Sequence, residues 1–432
     1  MSVTQGEAAL RKTPGARTVR RALRSKVVGQ VFIYTVAGGA AMGLSGLSKV
    51  ILARQMTPGA YGSFSFAMSL LALVAGAADL GVFMSVSRRL ALSDREGRRD
   101  LAGASFVAFV PMAVATSLVT FGLSFVTDSV FHVHAAEALR VTSVIAWACA
   151  FGLIGELVAK GADRLYVFSV SNFAGSATLV IALLVMVAAG VKFTATTAVV
   201  LTTLNLVLSA VMLGVWLRPR LRGVRDHIRG FVEDTRAWAF QMFIGRFLSI
   251  GTYNMDVLMV AAFSNAKSTG FYSLAGALAG FMGIPMLGAA AALFPNMSTE
   301  GEIRKQWLGI AWAIGGACVL AVVLLAPPLI GVVFAKDYGP VATLAIPLVI
   351  AQGVRGVTTV YNTFLTAHAG GREIRNTAFI LTGSNVVFNF ALIPPFGATG
   401  AAWASLLALL VNYVGYVFYY RQFLRRRQAA PV

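Results

Sequence analysis

Charge is what this sequence has least of. Only 12% of its 432 residues are Asp, Glu, Lys or Arg, about half the share found in soluble domains. That excludes an ordinary water-soluble fold. Acids are scarcer than bases, 17 against 36, and those expected on the outer side (Asp128, Glu137 and Asp337) are too scattered to suggest an enzyme site. Cysteine is nearly absent. Cys149 and Cys318 each stand in mid-helix within an apolar run, which gives neither a disulfide framework nor metal-ligand spacing. The four histidines (His132, His134, His227 and His368) fall in or beside loops and receive no role. No Gly-x-x-x-x-Gly-Lys run occurs, so a built-in ATPase is excluded. Neither a metal nor a cofactor is expected.

What is there is apolar sequence, 57% of the chain. It falls into about a dozen segments, each long enough to cross a hydrocarbon core of about 30 Å as a helix. The periodicity predicts helices over 28–53, 61–87, 101–126, 138–159, 166–189 and 195–217. A second set follows over 237–263, 268–294, 306–334, 340–367, 376–394 and 398–420. Basic residues alternate with each crossing. One set of loops holds 28 of them, whereas the other holds only Arg54, Arg140, Lys192, Lys267 and Lys336. The positive-inside rule then puts both termini in the cytoplasm of a bacterial inner-membrane protein and makes the helix count even. The net charge of +19 is read as orientation and contact with anionic phospholipid, not as nucleic-acid binding.

The expected organisation is a flexible basic tail over 1–26, a lobe over 27–217, an arginine-rich linker over 218–236, a second lobe over 237–420 and a basic tail over 421–432. The first apolar run is too long for a signal peptide, so no cleavage is expected. The lobes look like a repeat. At a constant offset of 208 positions, Gly62 faces Gly270, Ser65 faces Ser273, Ala67 faces Ala275 and Leu70 faces Leu278. The same offset pairs Arg164 with Arg372 and Gly175 with Gly383. Six helices separate equivalent positions, so both halves point the same way. They should be related by a pseudo-two-fold axis along the membrane normal, with a cleft between them.

Three stretches carry a resemblance. The first is Leu52-Ala-Arg-Gln-Met-Thr-Pro-Gly-Ala-Tyr-Gly62 with Asp79-Leu-Gly81 behind it. The second is Asp256, then Gly270-Phe-Tyr-Ser-Leu-Ala275 and Phe294-Pro-Asn-Met-Ser298. The third is Asn362-Thr-Phe-Leu365, Gly371-Arg372, Asn385 and Ile393-Pro-Pro-Phe-Gly-Ala-Thr-Gly-Ala-Ala402. In order and spacing the chain resembles the multidrug/oligosaccharidyl-lipid/polysaccharide (MOP) exporters, and within them the polysaccharide-transport or Wzx-type oligosaccharide flippases. The resemblance implies an all-α polytopic, MATE-like fold of about twelve transmembrane helices and a transporter, not an enzyme. It implies as substrate an undecaprenyl-pyrophosphate-linked oligosaccharide, such as an O-antigen, exopolysaccharide or capsule repeat unit. A polysaccharide polymerase and a chain-length regulator are the partners of such a transporter.

Polar groups at membrane depth are costly in lipid and so mark cavities or pairs. Gln352, Arg355, Thr359, Asn362 and Thr366 are spaced by threes and fours, which puts them on one helical face. Their counterparts 208 positions earlier (Val144, Trp147, Phe151, Ile154 and Val158) are apolar. Arg246, Ser249, Tyr253 and Asp256 form a second stripe. Arg246 lies about ten residues from one end of its segment and Arg355 about fifteen from the opposite end of its own, so both sit near the midplane at about 1.5 Å per residue. Two arginines lining one cavity suit a pyrophosphate, whose oxygens a guanidinium can hold bidentately. Lys49, near the outer end of its segment, either lines the same cavity or snorkels. Asp79 and Asp256 are candidates for coupling to protons or sodium, or else counter-ions of the arginines. Gly280, Gly283, Pro285 and Gly288, with Pro347, Gly353 and Gly356, are expected to interrupt their helices.

Two other functions fit less well. A multidrug antiporter of the same fold would want an acidic or aromatic cavity. A membrane polymerase or glycosyltransferase would want a large external loop.

Overall fold

The computed structural model describes residues 14–131, 133–297, 301–333, 338–368 and 371–429. Lys336 and His132 lie outside these residues, as do Arg11 and Lys12, and so do the side chains of Tyr253 and Pro285. Among the described residues the secondary structure is helical, without strands.

The first lobe consists of α1 (Pro14–Gln55), α2 in two arms (Pro58–Ala78 and Val82–Leu92), α3 (Arg95–Leu123), α4 (Ala136–Thr142 and Trp147–Gly161, bent by 53°), α5 (Leu165–Ala188) and α6 (Ala195–Leu217). A connecting helix, Val224–Asp234, precedes α7, which opens as a π-turn (Thr235–Ala239) and continues as Phe240–Phe263. Then come α8 (Ala266–Met297), α9 (Lys305–Val333) and α10 (Pro340–Ala367). The last stretch, Gly371–Ala429, turns at Gly397, where φ is 57° and ψ is −132°; residues 371–396 are α11 and 398–429 are α12. Each of the twelve expected segments has its helix. Among the described residues eight stretches are long and apolar enough to cross a membrane, nine if bent α4 counts as one.

The helix starts follow from local chemistry. Thr57 caps α2 by accepting from the Ala60 amide, and Pro58 supplies a pre-set φ at the first position. Asp94 caps α3 through the Gly97 amide at 2.9 Å. Thr194 and Thr197 make a reciprocal capping box at the head of α6. Residues 14–26 continue α1 as helix where a flexible tail was expected. At about 1.5 Å per residue, α1 outruns the hydrocarbon core by several turns.

The helix breaks are not where glycine and proline suggested. Backbone helix continues through 280–288 and through Pro347. It fails instead at Leu80 (φ 47°) and Gly81 (φ 86°) in α2. A Cβ on Gly81 would stand 2.7 Å from the Ala239 carbonyl oxygen, so glycine is needed there for backbone approach as well as for φ.

The two lobes use equivalent pairings: α1 packs on α5 as α7 packs on the α11–α12 stretch, and α4 packs on α3 and α6 as α10 packs on α9 and that stretch. Between lobes, α2 packs along α8, and Gly62 of one meets Gly270 of the other. The linker is not loose. The Arg220 amide donates to Arg99 O at 2.9 Å, Phe231 is fully buried, and Asp234 accepts from Arg89 Nε at 2.7 Å and Ser85 Oγ at 2.9 Å. Residues 220–234 are thereby fastened to the first lobe.

Candidate substrate and ion sites

Helix α10 places Gln352, Arg355, Thr359 and Asn362 together. All four are half-buried, while Val354, Val357, Val360, Phe364 and Leu365 between them are buried in apolar contacts. Thr366 ends the stripe at an exposed position. Thr358 and Thr359 hydroxyls donate to Arg355 O at 2.7 and 2.8 Å. Asn362 Nδ2 donates to Tyr416 Oη at 2.7 Å, which anchors the stripe to α12. Arg355 has a further interaction of its own within the protein. On the opposite side of α10, Ile350, Gly353 and Val354 join Trp312, Gly315 and Val319 of α9 around an apolar groove of about 320 Å³. The helix therefore presents an apolar side and a polar, cationic side.

Arg246 sits elsewhere, on α7, which packs on α2, α8 and the α11–α12 stretch. Its Nη2 donates to Leu153 O of α4 at 2.7 Å, and its charge reaches Asp79. Asp79 is itself engaged: Oδ1 accepts from the Phe83 amide at 3.1 Å, so it caps the second arm of α2 at the break. Lys49 stands on an exposed part of α1, one turn from Gly46, whose missing Cβ makes room for the Phe281 ring of α8.

Asp256 is the centre of a buried polar cluster. Asn389 Nδ2 donates to Oδ1 at 2.6 Å; Tyr272 Oη and Ser405 Oγ donate to Oδ2 at 2.7 and 2.8 Å. Asn389 also donates to Asn385 Oδ1 at 3.1 Å, while its own Oδ1 is buried without a hydrogen-bond partner. Four helices, α7, α8, α11 and α12, contribute. The cluster can hold one positive charge, a proton on the carboxylate or a small cation among carboxylate and amide oxygens. Sequence reasoning found Asp256 and noted Asn385 but missed Asn389 and Ser405. The signal was available: two amides four residues apart in an apolar segment share a face. Among the described residues no group of three His, Cys, Asp or Glu could hold a metal ion, and both cysteines are free thiols.

Comparison with known proteins places this geometry. The profile of a family described as "polysaccharide biosynthesis protein" matches residues 27–300, more than half the chain. A probable flippase, AglR of Haloferax volcanii, is 22% identical over 222 residues, 47% of this chain and 45% of the relative; the chain thus spans less than half the length of that relative. Among solved structures, the lipid II flippase MurJ in an inward closed conformation matches with TM-score 0.72 and 13% identity, over 90% of this chain and 87% of that one. An inward-facing MATE transporter of the MOP superfamily gives 0.67 and 17%, over 90% and 96%. An outward-facing one gives 0.63 and 17%, over 98% of both chains. At these identities the structural likeness speaks for the fold alone, which the chain shares with these transporters. With the residues 27–300 matched by its profile, this multi-pass membrane protein belongs to the polysaccharide biosynthesis protein family.

Proposed function

We propose that this protein is a flippase that carries an undecaprenyl-pyrophosphate-linked oligosaccharide across the bacterial inner membrane by alternating access. Both termini are cytoplasmic in this reading, as the arginine bias requires. The lipid tail stays in the bilayer while the sugar-pyrophosphate crosses between the lobes. The observation that carries the reading is the α10 face, where a guanidinium, two amides and a hydroxyl are kept half-buried at membrane depth in a family that serves polysaccharide synthesis. Arg355 binds phosphate oxygens; Gln352, Thr359 and Asn362 bind sugar hydroxyls; Lys49 adds a second cation from α1. Arg246, bonded to Leu153 O and within reach of Asp79, holds the lobes' packing in addition to any contact with substrate.

Coupling to protons or sodium is assigned to Asp256, whose partners are all neutral hydroxyl and amide groups. Asp79 is assigned to helix capping and to balancing Arg246. A multidrug antiporter is the second reading, supported by the fold shared with multidrug transporters. It differs in requiring an acidic or aromatic cavity, and α10 brings an arginine instead.

The experiment is a flipping assay in proteoliposomes. Wild-type protein should move a fluorescent lipid-linked oligosaccharide between leaflets and leave cationic dyes in place. Dye efflux without glycan movement would select the antiporter.

A further inference from the structure

The chain leaves the first lobe through a segment fixed at the edge of the bundle. The exposed face of α6 runs through Leu204, Leu208, Val211 and Val215, a spacing of threes and fours that keeps to one side of a helix. The exposed face of α3 runs in the same way through Val107, Val110, Val114 and Leu118. In a multi-pass membrane protein such apolar stripes face lipid. Both end, on the arginine-rich side, at residues 216–222. That segment follows α6 directly, and it lies against Arg99 and Gly103, two turns and one turn before Val107 in α3.

Four contacts hold its backbone. Arg164 Nη1 donates to Trp216 O and Arg99 Nε to Arg218 O, each at 3.3 Å. The Arg220 amide donates to Arg99 O at 2.9 Å. A Cβ on Gly103 would fall inside the Arg220 carbonyl oxygen, so glycine is what lets that carbonyl lie against α3. From this frame Arg218, Arg220 and Arg222 project as exposed side chains, together with Trp216 and Leu221, which are 48% and 74% exposed. An indole in the last turn of a transmembrane helix, followed by guanidiniums around a leucine, is the chemistry of the headgroup layer.

Among the described residues none of these three arginines forms an ion pair. The second lobe differs. Arg426, 208 positions after Arg218, pairs with Glu373 at 3.2 Å, whereas the first-lobe position equivalent to Glu373 is Leu165. At the same offset Trp216, Arg220 and Arg222 face Leu424, Gln428 and Ala430. The first lobe thus keeps a cationic cluster that the second neutralises or lacks, and the repeat does not require it for packing.

We propose that residues 216–222, positioned by Arg99 and Arg164, form a binding site for an anionic phospholipid of the arginine-rich leaflet. The lipid phosphodiester accepts from the guanidiniums of Arg218, Arg220 and Arg222, while Trp216 and Leu221 lie against the glycerol and the first methylenes. The backbone is already bonded to its neighbours, so little ordering remains when the lipid arrives. Selection is by charge: a zwitterionic lipid brings an ammonium that the arginines repel. The proposal is independent of what the protein transports.

Trp216 supplies the probe. Full-length protein and Trp216→Phe are reconstituted in phosphatidylcholine vesicles containing increasing fractions of phosphatidylglycerol or phosphatidylcholine brominated near the headgroup end of its chains. The fluorescence difference between the two proteins isolates Trp216 from the other five tryptophans. Half-quenching should need a severalfold smaller fraction of brominated phosphatidylglycerol than of brominated phosphatidylcholine. Equal fractions would leave the arginines to a water-soluble partner and overturn the proposal, and this comparison needs no arginine variant. In protein carrying Arg218→Gln, Arg220→Gln and Arg222→Gln together, the two fractions should become equal; a preference that persists there would place the site elsewhere. Inorganic phosphate should weaken the preference no more than chloride does at equal ionic strength. Loss of the preference in phosphate alone would make this a site for a soluble anion, which also overturns it.

Discussion

At the place where α7 carries Asp256, the first lobe carries Ser48 in α1, 208 positions earlier. Ser48 is buried too, yet its hydroxyl merely donates back to Ser45 O at 2.7 Å. Opposite Asp256, α11 supplies Asn385 and Asn389; the same offset finds Ala177 and Ile181 in α5. Likewise the polar face of α10 has an apolar counterpart in α4, where Phe151 and Ile154 are buried in the core. Two lobes with one set of helix pairings therefore carry different chemistry. Packing needs are common to both and are met by small and apolar residues. The carboxylate–amide cluster and the cationic stripe occur in one lobe alone, so they are not required to make a six-helix lobe.

The comparison breaks most sharply if the asymmetry is inverted. Ser48→Asp would bury a carboxylate where the positions equivalent to Asn385 and Asn389 are Ala177 and Ile181. With no amide donor to meet it, the cost should reach about 3–5 kcal/mol, as for a stranded buried charge. Folded protein in detergent, measured by size-exclusion yield, should fall severely, whereas Ser48→Ala should be tolerated.

Next in size is Asp256. Asp256→Ala removes the acceptor shared by Tyr272, Ser405 and Asn389, leaving only the 3.1 Å Tyr272–Ser405 contact and the Asn389–Asn385 bond, and should lower thermal stability by about 1–3 kcal/mol. Asp256→Asn keeps the shape and should fold. In the proposed mechanism it abolishes the response of flipping to an imposed proton or sodium gradient. A wild-type gradient response in that variant would remove Asp256 from coupling.

Arg355 follows. Arg355→Ala should lower glycan export at least about tenfold, the loss of about 1.4 kcal/mol or more of phosphate binding. Arg355→Lys should recover part of it, because an ammonium keeps the charge without the planar fork. Protein abundance read in the same cells separates lost binding from lost fold.

The smallest effect is expected at the connecting helix. Asp234 titrates below the usual carboxylate range because Arg89 and Ser85 donate to it, against the opposing effect of burial. A lowered pKa means the carboxylate favours the docked state above the unfolded value, and that this is lost as pH falls through the folded one. Hydrogen exchange over 224–234 should therefore quicken in acid. Asp234→Asn should give the same loosening at neutral pH, worth about 1 kcal/mol or less for so exposed a pair.

Much of this was legible in the sequence. The twelve segments, the basic asymmetry, the offset of 208 and the α10 stripe all follow from hydropathy and spacing, because lipid punishes any departure from them. The helix breaks were not legible. Pro347 sits in a continuous helix, while α2 fails at Leu80 and Gly81, where the partner is the Ala239 carbonyl across a gap of about 160 positions in sequence. Spacing in one helix also gave no warning that Arg246 would reach α4, or that Asn389 and Ser405 would converge on Asp256. Those contacts are set by tertiary packing among helices far apart in the chain. The docking of the linker was not legible for a related reason: Phe231 and Asp234 find partners only once α2 and α3 are in place.

The central claim is that the polar face of the second lobe carries a lipid-linked oligosaccharide. It is tested most directly by reconstituting wild-type and Arg355→Ala protein at matched folded amounts and timing the movement of undecaprenyl-pyrophosphate oligosaccharide between leaflets. The account predicts flipping by wild type and a rate near that of empty liposomes for Arg355→Ala. Equal rates for the two proteins, both above the empty-liposome level, would contradict it.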